Sequence, residues 1–198
     1  MTKKDMAAKI IRVVTVPPVL VTLLIGILAW KRGDMFLNAA QAWIPILFLG
    51  IISVLAYPCE KLLSGREKTD REKQRNMAFL FTMIGYTAAF LWALAVHVGK
   101  ELMIICLTYF LSVLLLTVCN KLLHIRASGH ACSVTAPLIM LIYLVDWRLV
   151  VPCLVLAVLV VWSSLYLKRH TKHDLAVGGA ICILSFLCSL CFVRFLYR

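Results

Sequence analysis

The chain has 198 residues, of which 63% are hydrophobic and 15% charged, and a mean hydropathy of +0.95. Nine acidic and 21 basic side chains cannot clothe a soluble surface of this size, which excludes soluble enzymes, DNA-binding modules and disordered tails and leaves an integral membrane protein. The net charge of +12 would point to nucleic acid in a soluble protein; confined to the ends of apolar spans, it points instead to anionic headgroups or phosphate esters.

A bilayer core of about 30 Å takes about 20 apolar residues per helix. Seven runs in chain order meet or approach that need: 13–30, 37–58, 77–98, 102–119, 131–145, 149–167 and 175–195. They predict an all-α polytopic bundle forming one domain over residues 1–198. Lys3, Lys4, Lys9 and Arg12 ahead of the first run resemble the start of a signal peptide, but the run is long and no small-residue cleavage site follows, so it is expected to stay as a span. Pro17, Pro18 and Pro45 fall near span starts, where neighbouring helices re-satisfy the freed backbone groups. The one long polar stretch, residues 60–76, reads as a solvated turn with alternating charge. The fifth run is short and is expected to begin within the polar segment before it. Asp146 and Arg148 around Trp147 mark a tight turn with an aromatic anchor.

The eight cysteines fall mostly inside apolar runs and read as packing residues. Cys188 and Cys191 make a C-x-x-C, with no second pair or histidine nearby.

With seven spans the loops alternate sides. Four basic residues precede the first span, six lie in 60–76, two in 120–130 and three in 168–174, against six on the opposite side. The positive-inside rule therefore predicts a cytoplasmic N-terminus and places 120–130 and 168–174 together on the cytoplasmic face.

Four of the five histidines lie in those two loops. One reads Lys121-Leu-Leu-His124-Ile-Arg126-Ala-Ser128-Gly129-His130, the other Lys168-Arg169-His170-Thr171-Lys172-His173-Asp174. Two helices separate them, so they can converge as the ends of neighbouring helices. Cations neutralise phosphoryl charge and an imidazole serves as nucleophile or acid near neutral pH, so the set suits a phosphate ester. If the loop runs into the seventh helix, His170 and Asp174, four apart, share a face, where the carboxylate can accept from one ring nitrogen while the other faces substrate. Ser128-Gly129-His130 opens the fifth helix, whose free N–H groups and dipole make an anion site, and Gly129 allows close backbone approach. His130, His170, His173 and Asp174 are also zinc-competent donors, but the surrounding positive charges fit phosphate better than a divalent metal.

Ser128-Gly129-His130-Ala131, followed after two helices by Ser163-x6-His170-x3-Asp174, resembles the type 2 phosphatidic acid phosphatase superfamily of membrane lipid phosphatases. The signatures of that group are K-x6-R-P, P-S-G-H and S-R-x5-H-x3-D. Leu167-Lys-Arg-His170-Thr, and Asp70-Arg-Glu-Lys-Gln-Arg75 ahead of a span, are similar to short bacterial members, which implies a bacterial inner membrane. The likeness in signatures covers residues 121–179. It implies a phosphohistidine mechanism without metal or other cofactor: His170 attacks phosphorus, Asp174 orients its imidazole and His130 protonates the leaving oxygen. Lys121, Arg126, Ser128 and Gly129 would hold the phosphoryl group, with Lys168 and Arg169 beside them. The implied substrate is a lipid phosphate or diphosphate such as phosphatidic acid, phosphatidylglycerol phosphate or a prenyl diphosphate.

Three positions depart from the family pattern. The arginine six residues before the nucleophilic histidine is Ser164, Lys121 and Arg126 are five apart rather than seven, and the following proline is Ala127. Lys168, Arg169 or Lys172 are the nearby candidates to replace the missing guanidinium. The departures keep two other readings open, a lipid phosphotransferase using the same histidine and a non-catalytic lipid-phosphate binding or transport protein. An intramembrane prenyltransferase lacks its paired aspartate motifs here, since Asp70 stands alone. His97 and His124 read as interfacial side chains, and basic residues at span ends, Lys172 among them, as headgroup contacts.

Overall fold

The computed structural model describes residues 2–64 and 71–198, and among these the fold is all α with no strand. Helix α1, Lys3–Val14, is opened by a reciprocal cap: the Asp5 N–H donates to Thr2 Oγ1 (3.2 Å) and the Thr2 N–H to Asp5 Oδ2 (2.7 Å). One of its faces is inward, with Ala8 fully buried, Ile11 partly buried and Thr15 just beyond it buried. Met6, Ile10, Val13 and Val14 face outward. Pro17 then forces Val16 into an extended conformation, and α2, Pro17–Lys31, resumes with its axis turned by 57°. The span expected over 13–30 is thus a bent pair, since two consecutive prolines interrupt the hydrogen-bond ladder.

Helices α3, Ala39–Pro45, and α4, Ile52–Ser64, join through a π-turn at Ile46–Ile51, and the apolar rod runs over Ala39–Leu62. Pro45 cannot donate to the ladder, and the wider turn after it accommodates the change. Helix α5, Arg71–Ala95, is followed by α6, Lys100–Thr117, which a π-turn prolongs to Leu122. Next come α7, Gly129–Leu144; α8, Val150–Tyr166; and α9, Lys172–Leu196.

Five helical segments are long and apolar enough to cross a membrane, and the bent α1–α2 pair brings the number to six among the described residues. The fifth expected span, α7, has 16 residues, a length of about 24 Å against a hydrocarbon core of about 30 Å. Its neighbours explain the shortfall. Cys132, Val134, Ala136, Leu138, Met140 and Leu144 are all buried, and α7 packs against α2, α6, α8 and α9. A helix screened from lipid need not match the bilayer thickness. α7 still runs from one end of the bundle to the other. It starts where the Ser128 N–H donates to the Asp174 carbonyl (2.9 Å) and ends where Leu144 O accepts from Arg32 Nη1 (3.0 Å).

Such contacts define two ends. At one, Tyr166 Oη donates to Asp5 Oδ1 (3.0 Å), Lys121 Nζ to Asn76 Oδ1 (3.4 Å), and the start of α7 meets the start of α9. At the other, Arg32 reaches the end of α7 and Tyr197 Oη bonds the Val98 carbonyl. The core between them centres on α6, with Leu102, Ile105 and Tyr109 buried, and Tyr86 edge-on to Tyr109 at 5.1 Å. The chain is a polytopic helical membrane protein.

Candidate functional site

The two polar loops come together at the first of these ends, and each is fixed by backbone chemistry. α8 closes with two reverse bonds, Lys168 N–H to Leu165 O and Arg169 N–H to Ser164 O, both 3.0 Å. This closure needs a left-handed residue, here Lys168 with φ 50°, where glycine is usual. The sharp turn delivers His170 directly to the start of α9.

Thr171 caps α9 and forms a reciprocal box with Asp174: the Asp174 N–H donates to Thr171 Oγ1 and the Thr171 N–H to Asp174 Oδ2, each 3.1 Å. The box locks the Asp174 carboxylate, whose side chain is 4% exposed. Oδ2 also lies 3.4 Å from Arg126 Nε and 3.8 Å from His170 Nδ1. The first joins the two loops through an ion pair. The second is a charge contact longer than a hydrogen bond, and it turns the other ring nitrogen, Nε2, away from the carboxylate.

On the opposite side of this junction Ser128 caps α7, its hydroxyl accepting from the Ala131 N–H (3.2 Å). Asn120 clamps the loop that leads there: its amide donates to Leu116 O (2.9 Å) and Ala127 O (3.3 Å), and its Oδ1 accepts from the Ala127 N–H (3.1 Å). Gly178 lets α9 lie against Ser128, since a Cβ there would meet the Ser128 carbonyl oxygen at 2.3 Å. Gly129 is exposed and a Cβ on it would meet nothing within 4 Å, so space lies open above the first turn of α7. His130 occupies that turn. Its Nε2 and His170 Nδ1 are buried without a hydrogen-bond partner among the described residues.

The electrostatics involve a residue from another part of the chain. Burial first, and then the Arg12 guanidinium, lower the proton affinity of His170 below the ordinary histidine value; Asp174 opposes them and Arg126 adds to them. Arg12 acts on His130 as well, as does His170. Ser164, where the sequence resemblance would lead one to expect an arginine, is fully buried in the last turn of α8, its hydroxyl without a hydrogen-bond partner among the described residues.

Of the residues singled out from the sequence, the fold therefore gathers His130, His170, Asp174, Arg126 and Ser128. Lys121 lies at the same end but turns to Asn76, and Lys168 and Arg169 are exposed on the turn after α8. Lys172, His173 and His124 are exposed. Asp70 and the Arg71 side chain lie outside the described residues. Sequence reasoning missed Asn120, Gly178 and the charge of Arg12 acting on the histidines. No three His, Cys, Asp or Glu side chains gather into a metal-ligating group among the described residues. A separate cavity of about 480 Å³, lined by Ile25, Gly26, Phe36, Ala42 and Trp43, opens towards the opposite end, away from the histidines.

Fold and cluster together define a helical membrane protein with a histidine, carboxylate and guanidinium cluster where two interhelical loops meet. No protein-family model, curated protein or solved structure matches the chain.

Proposed function

We propose that the chain is a membrane lipid phosphatase, hydrolysing a phosphate monoester or diphosphate of a lipid through a phosphohistidine. The observation that carries this reading is the convergence on Asp174 of His170 and Arg126 from two loops, with His130 on the adjoining helix start. A phosphate ester bound there has its oxygens near Arg126 and the free N–H groups of α7. The lowered proton affinity of His170 keeps its Nε2 lone pair available at neutral pH.

In the first step His170 Nε2 forms the bond to phosphorus as the ester P–O bond breaks, and the leaving lipid oxygen takes a proton from His130, whose charged form, disfavoured by burial and Arg12 in the free site, is stabilised by the bound phosphoryl dianion. Asp174 stabilises the charge that develops on the His170 ring. In the second step water attacks the phosphohistidine, giving its proton to His130, and His170 leaves as inorganic phosphate forms. The two steps replace one difficult displacement and leave every group in its starting state. The excess of basic residues at this end supports a site on the cytoplasmic face, and the likeness to short bacterial members is the ground for proposing a bacterial inner membrane.

The 3.8 Å separation of His170 and Asp174 and the serine at 164 favour, as a second reading, a protein that holds a lipid phosphate without turning it over. Phosphate release from a panel of lipid phosphates and diphosphates by the detergent-purified protein, with His170→Ala and a chelator arm alongside, decides between them. The phosphatase reading expects release that survives chelation and is lost in the variant. Tight binding with no release from any lipid would support the second reading, and a phosphoryl group passed to an added acceptor would identify a transferase.

A further inference from the structure

We propose that residues 121–126 form a lip that sits in the headgroup layer of the bilayer and admits lipid phosphates to the site in preference to water-soluble phosphate esters. The inference rests on the phosphate-ester reading above and adds the class of ester that the site takes. Its basis is a run of side chains that a loop in water does not carry. Leu122 is 70% exposed, Leu123 58% and Ile125 40%, and Lys121, His124 and Arg126, interspersed with them, are exposed too. Large apolar side chains grouped on so short a loop call for an apolar surface to cover them.

The loop is closed by its own backbone. At its neck the Asn120 side chain accepts from the Ala127 N–H (3.1 Å) and donates to the Ala127 carbonyl (3.3 Å). Further along, the Leu123 N–H donates to the Val118 carbonyl (2.9 Å) and the Ile125 N–H to the Cys119 carbonyl (2.8 Å). The chain reverses between them at His124, whose φ of 54° lies in the left-handed region that a side chain disfavours. A loop pinned in this way displays its leucines at a fixed place. That place is the end of a span, since α6 with its π-turn runs to Leu122. At the same end Trp162 and Tyr166, exposed in the last turns of α8 and stacked with centroids 5.4 Å apart, are the aromatic anchors of a headgroup layer. The loop complements that layer, its cations facing lipid phosphates and its leucines the chains beneath. Arg126, next to Ile125, is also the residue whose Nε lies 3.4 Å from Asp174 Oδ2. A lipid phosphate therefore reaches the site without leaving the bilayer, whereas a soluble ester gains nothing from the leucines.

The test has two arms, both in the full-length chain reconstituted in vesicles of phosphatidylcholine and phosphatidylglycerol. In the first, Leu123→Cys, in a background without the eight native cysteines, carries an environment-sensitive dye. A nitroxide on the lipid acyl chain is expected to quench it and aqueous iodide to leave it bright. Quenching by iodide alone would overturn the lip. Protection from both quenchers would assign the leucines to a protein contact, such as a second copy of the chain, and overturn it as well. In the second arm the double variant Leu122→Ser, Leu123→Ser is compared with wild type on a long-chain lipid phosphate and on a water-soluble short-chain ester with the same head. Its kcat/KM for the long-chain substrate is expected to fall by about 10- to 100-fold, the scale of one or two leucines returned to water, with the short-chain value and the melting temperature unchanged. Equal loss on both substrates, or loss on neither, in a folded variant would overturn the selection and leave the phosphatase reading standing. A wild type that hydrolyses neither ester would overturn the phosphatase reading and the selection with it, while nitroxide quenching would still keep the loop in the bilayer.

Discussion

Gly178 of α9 rests on the backbone of Ser128, so closely that a Cβ at position 178 would sit 2.3 Å from the Ser128 carbonyl oxygen. One turn earlier, the Asp174 carbonyl accepts from the Ser128 N–H at 2.9 Å. Two backbones in direct contact hold the cap of α7 against the first turn of α9, and His130 and His170 inherit their spacing from it. Gly178→Ala is therefore expected to destabilise the fold by about 1–3 kcal/mol, the usual cost of forcing an extra group into a packed interface. It should also lower kcat more than its melting temperature suggests. Gly129→Ala, where a Cβ meets open space, is the control and should melt like wild type.

Asp174 has two roles, one in the cap of α9 and one beside His170. Asp174→Asn keeps an acceptor for the Thr171 N–H and removes the charge, so the helix start should persist while turnover falls by about 100-fold or more. Asp174→Ala removes both and should cost a further ~1 kcal/mol of stability, the value of a lost cap. Thermal melts beside phosphate-release rates separate the two effects.

The groups around His170 shift its titration in opposite directions. The acid limb of kcat/KM is expected below the ordinary imidazole value of about 6.5, because burial and Arg12 disfavour the proton. Arg126→Gln removes a further opposing charge and should move the limb to higher pH. Asp174→Asn removes the favourable one and should move it to lower pH. Measured profiles that shift together in the two variants would assign the limb to another group.

Lys168 occupies a left-handed conformation, φ 50°, that a side chain disfavours by roughly 1–2 kcal/mol. Lys168→Gly should raise the melting temperature. If the exposed Lys168 ammonium is a headgroup contact rather than part of the site, the same variant keeps kcat.

Much of this was legible in the sequence, for reasons that lie in particular residues. Apolar runs mark the spans, and alternation alone brings Arg126 and Asp174 to one end of the bundle, where the ion pair joins them. Helical spacing paired His170 with Asp174, but His170 precedes the Thr171 cap of α9, and the two meet across that cap rather than on a helical face. The effect of the Arg12 charge on the histidines was not readable, because its place depends on the bend at Pro17 and on how α1 packs against α8. Nor was Gly178, since a close approach between two backbones exists only in the packed chain. The short fifth run does start within the polar segment before it, at Gly129, and its 16 residues suffice because protein rather than lipid surrounds most of it.

Orientation has its own test. A cysteine placed at the exposed Thr171, in a background without the eight native cysteines, should be protected from a membrane-impermeant thiol reagent in intact cells and react once they are opened. Labelling in intact cells would put the site on the outer face.

The central claim is that phosphorus passes through His170. Its most direct measurement is a single turnover with a lipid phosphate labelled in its phosphoryl group, quenched in alkali and followed on the protein. The account predicts an alkali-stable, acid-labile label that appears before free phosphate and is absent from His170→Ala. Phosphate release by His170→Ala at the wild-type rate would contradict it.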